Sequence, residues 1–589
     1  MRLILKAFCV AASLAGATSA HGQAGVSYEP PPVDLVEPGE APVPLVAAAS
    51  SVPEGAIPVR DPGLEGTPDA PRPRLRVDVG AYVELNQGVS VELAGNGPGD
   101  DVLTYTAVAA GVEGQVRTRR VTASGAYRYE RRLGWTDDLP DEDVHSGVAQ
   151  LHAELVPGRV SVDAGGLATR TGGTGRAVGV TEREAGTEIY GAYAGPTLST
   201  HAGPVSINAA YRLGYVHVDD DSLSGAAAPT DDLDSTVHVA NASVGVAPGG
   251  PLPIGVTVSA GYVREDVGAL DNSFEGRFVR ADMVAPVSPT FAVTAGIGYS
   301  KIEASQQDVQ RGPGGVPLRD GSGRLIPDPT ASRVTTLDTD GVYWDAGFLW
   351  RPTPRAEVQL RAGQDADGDL LIMGAATVQI GRRSGISAIL FDHDTSFGQG
   401  LISNLRRLPA AFDVNPETLR GQPASGCLFG EDPGQGTCLA TSLQSIGSIS
   451  FRARGGSLVF TSTGRLWNIG AGLAYTHRSF YLPDDPLFAS VFAREDEDLT
   501  GFVYVSRRLT RDVTLTVNPF FSVYDSEFDV SLGGIGIGDG FSTGTSFGLS
   551  RSFLSNRLQL LLTLGINYST LRGDDSLIAD GLIGVRYVF

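Results

Sequence analysis

Few residues in this chain are spaced for covalent chemistry. Eight histidines are scattered along 589 residues, and none shows the H-E-x-x-H spacing of a zinc site or stands with a serine and an acid as a readable triad. No phosphate-cradling or dinucleotide-binding glycine loop occurs. His152 and His238 fall inside alternating runs and read as wall residues rather than catalysts. The expectation is therefore a non-enzyme with no catalytic, metal-binding or cofactor-binding residue. Cys427 and Cys438 flank a short polar, glycine-rich stretch. In an exported chain this spacing reads as a disulfide closing a small loop. A metal site is the weaker alternative, because no histidine or second thiolate pair stands nearby.

The charged residues are more informative. Arg76, Arg128, Glu130, Arg212, Arg280, Arg361, Arg452, Arg454 and Arg586 each fall on the polar side of an alternating run, as do Asp78, Glu84, Asp282, Glu357 and Asp580. Two chemistries are open. Opposed charges on one side can form a salt-bridge mesh. Alternatively, the arginines can form a track for an anionic solute, because a guanidinium grips carboxylate or phosphate as a planar fork. The net charge is -22, which removes nucleic acid as an expected partner. Acidic clusters such as Asp219-Asp220-Asp221 and Glu495-Asp496-Glu497-Asp498 read as solvated loop tips, with cation bridging to lipopolysaccharide as an alternative.

The elements that position these charges are strands. Beyond the N-terminus no stretch of about 18 apolar residues exists, so a spanning helix is not available. A closed sheet is the other way across a bilayer. From Leu75, the residues Val77, Val79, Ala81, Val83 and Leu85 form one face, and Arg76, Asp78, Gly80, Tyr82 and Glu84 the other. Similar alternation continues to Phe589. It predicts an all-β fold: a single transmembrane antiparallel barrel of about 22 strands (range about 20–24), spanning 74–589. Short turns, as at Pro157-Gly158 and Arg382-Arg383, alternate with longer acidic loops. Short turns are expected in the periplasm and long loops outside, so an even strand number returns both barrel ends to the periplasm. Tyr127, Tyr129, Tyr215, Tyr262, Tyr299, Tyr475 and Tyr568 sit near the long-loop ends and fit an interfacial girdle. At Gly455-Gly456 the apolar parity changes, which predicts a β-bulge with Phe451 and Ala453 facing outward.

Two loops exceed ordinary connections, about 304–334 and about 394–445. The second carries the cysteines, together with a segment, 401–408, that reads as a short amphipathic helix ending before Pro409. A barrel this wide would leak if open, so the second loop, and with it the first, is expected to fold across or into the lumen. Residues 1–24 read as a secretory signal, with Arg2 and Lys6 before a short apolar stretch and small residues at the cleavage region. Residues 25–73 read as a disordered Pro/Ala-rich periplasmic segment. No folded plug domain is expected ahead of the first strand, which argues against a TonB-dependent receptor.

The closing residues Val585, Tyr587 and Phe589 share one face, and a terminal Phe after an aromatic resembles the assembly signal of bacterial outer-membrane β-barrels. The run Val79 to Asn86, the strand within Arg119 to Arg132, and Phe391-Asp392-His393-Asp394-Thr395-Ser396-Phe397-Gly398 resemble a group of large outer-membrane barrels found with exopolysaccharide and exosortase-type export loci. That resemblance implies passage or export of a surface polymer. Taken with the arginine track, the expected function is an outer-membrane channel for an anionic surface polysaccharide. Expected partners are outer-membrane lipid and lipopolysaccharide, the barrel-assembly machinery, and periplasmic export components. A structural or adhesive barrel and a substrate-specific porin are the alternatives.

Overall fold

The computed structural model describes residues 76–95, 102–135, 141–171, 187–219, 233–249, 251–313, 315–320, 325–412, 427–430, 433–439, 443, 446–483, 494–527, 539–571 and 574–589. The expected signal (1–24) and periplasmic segment (25–73) lie outside these residues.

The strands run β1 Arg76–Gly95, β2 Val102–Arg117, β3 Val121–Gly134, β4 Glu142–Val156, β5 Val160–Thr171, β6 Thr187–Ala202, β7 Val205–Asp219 and β8 Leu233–Val246. They continue as β9 Gly255–Val267, β10 Asn272–Ser288, β11 Phe291–Gln306, β12 Val334–Thr353, β13 Ala356–Gln364, β14 Leu370–Ile380 and β15 Ser384–Thr395. A helix, α1 Phe397–Arg406, and a small hairpin, β16 Cys427–Phe429 with β17 Gly436–Cys438, follow. The last strands are β18 Phe451–Thr463, β19 Trp467–Phe480, β20 Glu495–Arg508, β21 Val513–Glu527, β22 Gly540–Phe553, β23 Leu558–Leu571 and β24 Asp574–Val588.

Strands β1–β15 and β18–β24 form one 22-stranded antiparallel sheet. It closes because β1 pairs with β24, with Leu85 opposite Val585 and Val83 opposite Tyr587. Closure satisfies every edge, which a bilayer demands. The helix and hairpin belong to an insertion: β15 pairs directly with β18 across it.

The outer face is apolar around the barrel. Val79, Leu85, Ile297 and Val342 are 58–67% exposed, an arrangement untenable in water and suited to lipid. Near the long-loop ends, outward tyrosines donate to acids on the next strand, as in Tyr129 to Asp143 (2.7 Å) and Tyr299 to Asp340 (2.7 Å). The chain is an outer-membrane β-barrel. No helix is long and apolar enough to cross a membrane among the described residues.

One expected feature is corrected. Strand β18 keeps an unbroken register with β15 and β19 through Gly455 and Gly456, so there is no bulge. Phe451 and Ala453 face inward and are buried, while Leu458 faces outward. Apolar character marks the lipid side only where the lumen is wet, and here the lumen holds an apolar occupant.

Candidate functional site: the occupied lumen

Leaving β15 at the extracellular rim, the chain turns into the barrel. Helix α1 starts at Phe397, one turn earlier than expected, with Ser396 as its N-cap. The Ser396 side chain makes no capping bond to its own helix. Glu265 of β9 takes that role: it accepts from the Gln399 amide (2.9 Å), from Ser235 Oγ (2.6 Å) and from Ser396 Oγ. A carboxylate at a helix N-terminus meets free amides and the positive end of the dipole. At the other end, Gln150 Nε2 donates to the Leu405 carbonyl (2.6 Å), and Tyr193 Oη steadies Gln150 Oε1 (2.8 Å).

Between these caps the helix is pressed against the wall. Phe397, Leu401, Ile402 and Leu405 are at most 3% exposed, packed among Ile189, Val216, Val218, Leu233 and Val237. Glycines make the contact close. A Cβ at Gly214 would stand 2.7 Å from Ile402 Cγ1, and one at Gly191 would stand 3.2 Å from Leu405 Cδ1.

The insertion then descends. Ser124, near the periplasmic start of β3, donates to the Ala410 carbonyl (2.7 Å) and accepts from the Phe412 amide (3.2 Å). The β16–β17 hairpin lies on the opposite wall. Phe429 covers Gly470, where a Cβ would meet its ring at 2.4 Å. The Gly434 amide donates to Thr461 Oγ1 (2.6 Å), close to the periplasmic end of β18. On the way back, Ser448 O accepts from Asn272 Nδ2 (2.6 Å). The loop thus touches inner-wall side chains from the outer rim to the periplasmic end. The other long loop, 307–333, behaves differently. It folds on itself through the bridges Val309–Pro327 and Arg319–Leu325 and is tied to the neighbouring rim turn by Arg333 and Asp271 (2.6 Å).

Cys427 and Cys438 are directly opposite each other in the β16–β17 register. Arg128, Arg212, Arg280, Arg361 and Arg586 are on the inner face, each at most 3% exposed, and so is Glu130. All five arginines are ion-paired. Arg280 and Arg361 share Asp282 and Asp345 at 2.6–3.1 Å. Arg586 reaches Glu113 (2.6 Å) and lies over the Tyr82 ring (3.6 Å). Arg128 bridges Glu84 (3.2 Å) and Glu130, and Glu130 continues to Arg132 (2.5 Å). Arg212 pairs with Asp163 (2.5 Å), which also takes His152 (2.6 Å). Arg76 opens β1 opposite Arg117.

Arg452 and Arg454 are corrections. With Phe451 and Ala453 inward, these two arginines occupy the outer side of β18, bound to Asp392 and to the Asp365–Asp369 turn. The acidic run 495–498 is also corrected. It lies in β20 rather than at a loop tip, with Asp496 buried against Arg478 (2.6 Å). Val585, Tyr587 and Phe589 face outward beside the closing seam. Sequence reasoning missed Glu265, Gln150 and Ser124, because a wall residue that caps a distant loop carries no local pattern. The one available signal was the apolar inner row of β7 and β8, too apolar for a wet lumen.

No family model matches the chain, and no curated protein matches it. Among solved structures, it is similar to the ferric-catecholate import receptor Fiu of E. coli K12, with a TM-score of 0.40, 10% identity, and 88% of this chain and 82% of that one covered. The FrpB iron transporter of Neisseria meningitidis gives a TM-score of 0.40 and 11% identity, covering 87% and 82%. The alcaligin outer-membrane receptor FauA of Bordetella pertussis gives 0.36 and 12%, covering 86% and 76%. The likeness is one of large barrels, and it does not tie the chain to exopolysaccharide or exosortase-type loci.

Proposed function

We propose that this barrel is an outer-membrane channel closed by its own loop, the segment between β15 and β18. The observation that carries the reading is the insertion's line of contacts through the lumen, from Glu265 at the outer rim to Ser124 and Thr461 near the periplasmic end. Magnitudes say which part moves. Burying Phe397, Leu401, Ile402 and Leu405 is worth on the order of 6–12 kcal/mol together. Each 1.4 kcal/mol is a factor of ten, so the helix does not leave the β6–β8 wall spontaneously. The far side of α1 faces β15, β18 and β19 across an open cleft, and passage would widen there.

The cargo under this proposal is an anionic surface polysaccharide, a choice supported by the resemblance of the β1, β3 and β15 segments. Lipopolysaccharide, the barrel-assembly machinery and periplasmic export components are the partners it entails. The second reading is a structural or adhesive barrel, favoured by the ion-paired state of the inner-face arginines, which leaves little basic track. A substrate-specific porin would conduct but ignore polymer. The deciding experiment is single-channel conductance of the intact protein and of a variant lacking residues 400–440. Current that appears on deletion, and is blocked by anionic polysaccharide, supports the proposal. Silence in both forms leaves the structural barrel, and current blocked by a small solute alone leaves the porin.

A further inference from the structure

The cleft between α1 and the β15, β18 and β19 wall holds a cation, Arg407, that no carboxylate among the described residues neutralises. Its volume is about 80 Å³, while a single water needs roughly 10–15 Å³, so it has room for a group the size of acetate or phosphate. His393 from β15, Asn404 and Arg407 from the end of α1, Thr437 from β17, and Thr476 and Arg478 from β19 line it. No carboxylate lines it among the described residues. Arg478 is engaged with Asp496. Arg407 differs from the arginines of the inner wall: no carboxylate is paired with it among the described residues, and its Nε is buried without a hydrogen-bond partner. Nδ1 of His393 is likewise buried and unbonded. Burial, and secondarily the adjacent Arg406, pull the Arg407 guanidinium down to about 10. The helix C-terminus beside it offers only about half a negative charge.

We propose that this cleft binds a small oxyanion, a carboxylate or phosphate group, with Arg407 as the charged ligand and the neutral side chains of Asn404, Thr437 and Thr476 around it. A guanidinium presents a planar fork of donors that fits either group. The site would place a negatively charged group at the junction of helix, hairpin and wall. It stands whether or not the barrel conducts.

Calorimetric titration of the detergent-folded full-length protein with inorganic phosphate and, separately, acetate tests it. The expected result is saturable binding of at least one of the two, and the arm that binds identifies the group. Arg407→Gln removes the charge. Gly400→Leu fills the cleft instead, since a Cβ there meets nothing within 4 Å and leucine suits a helix better than glycine. Each variant is expected to weaken binding about tenfold or more, the scale of a charge-assisted hydrogen bond. Arg454→Gln, on the outer side of β18, is expected to leave it unchanged. Absence of saturable binding by the wild type, or undiminished binding by folded Gly400→Leu, overturns the proposal even if Arg407→Gln fails to fold.

Discussion

Buried charges set the character of the lumen, and their energetics depend on completeness. Arg586 is 1% exposed between Glu113, Glu84 and Tyr82, at the seam where β24 meets β1. Deleting one partner of a buried pair strands the other, at about 3–5 kcal/mol, whereas exposed pairs contribute about 0–1 kcal/mol. Arg586→Gln is therefore expected to lower unfolding stability in urea by several kcal/mol. Arg454→Gln, whose side chain is 44% exposed, should lie within about 1 kcal/mol of wild type; equal losses would contradict the burial argument. Glu265 makes a second prediction. It accepts two bonds from the helix N-terminus, from Ser396 Oγ and the Gln399 amide, and a third from Ser235 of β8 that fixes the carboxylate on the wall; each is worth about 1.5–3 kcal/mol when charge-assisted. Glu265→Ala should accelerate hydrogen exchange of the α1 amides while leaving the barrel strands protected. The inner-face arginines of β3, β7, β10, β13 and β24 were legible from alternation alone. Arg452 and Arg454 were not, because their parity depends on what lies inside the barrel.

At the scale of elements, the strands follow from pattern and the plug from shape. Period-two alternation and short turns define the 22 barrel strands because each faces two solvents, lipid and lumen. The helix was legible as a helix but not in its placement, which depends on glycines of other strands. At Gly214 a Cβ would already stand 2.7 Å from Ile402, so Gly214→Leu should push α1 off the wall. Leu405→Ala removes contact instead, with a typical cost of about 2–5 kcal/mol for such a truncation. Both should increase protease sensitivity of the insertion; an unaffected Gly214→Leu would mean the helix has slack that the geometry does not show. The cysteines give a further expectation. Their backbone positions face each other across β16 and β17, and opposed strand positions lie about 4.5–5.5 Å apart, inside the range a disulfide spans. The folded protein should show no free thiol until reduced, and reduction should loosen the hairpin without unfolding the barrel.

For the whole molecule, barrel and plug are separable in their hydrogen bonding but not in their surfaces. The sheet closes on itself through β1 and β24 and owes no strand pairing to the insertion. A variant lacking residues 400–440 should therefore still form a heat-resistant barrel. Its lumen, however, would carry a bare apolar stripe formed by Ile189, Val216, Val218, Leu233 and Val237, which α1 normally covers. Hydrophobic constrictions can gate by dewetting, so removal of the loop should open the lumen less than its width alone implies. Replacing Val216 and Val237 by serine in the deletion variant makes that stripe wettable without narrowing the lumen. The expected outcome is higher single-channel conductance than the deletion alone. Equal conductance would mean the stripe does not limit flow, and that the apolar inner wall serves only to seat the helix. In the full-length protein the same two substitutions should act in the opposite direction on stability, weakening the seat of α1, since each buries a hydroxyl against Leu401, Ile402 or Leu405.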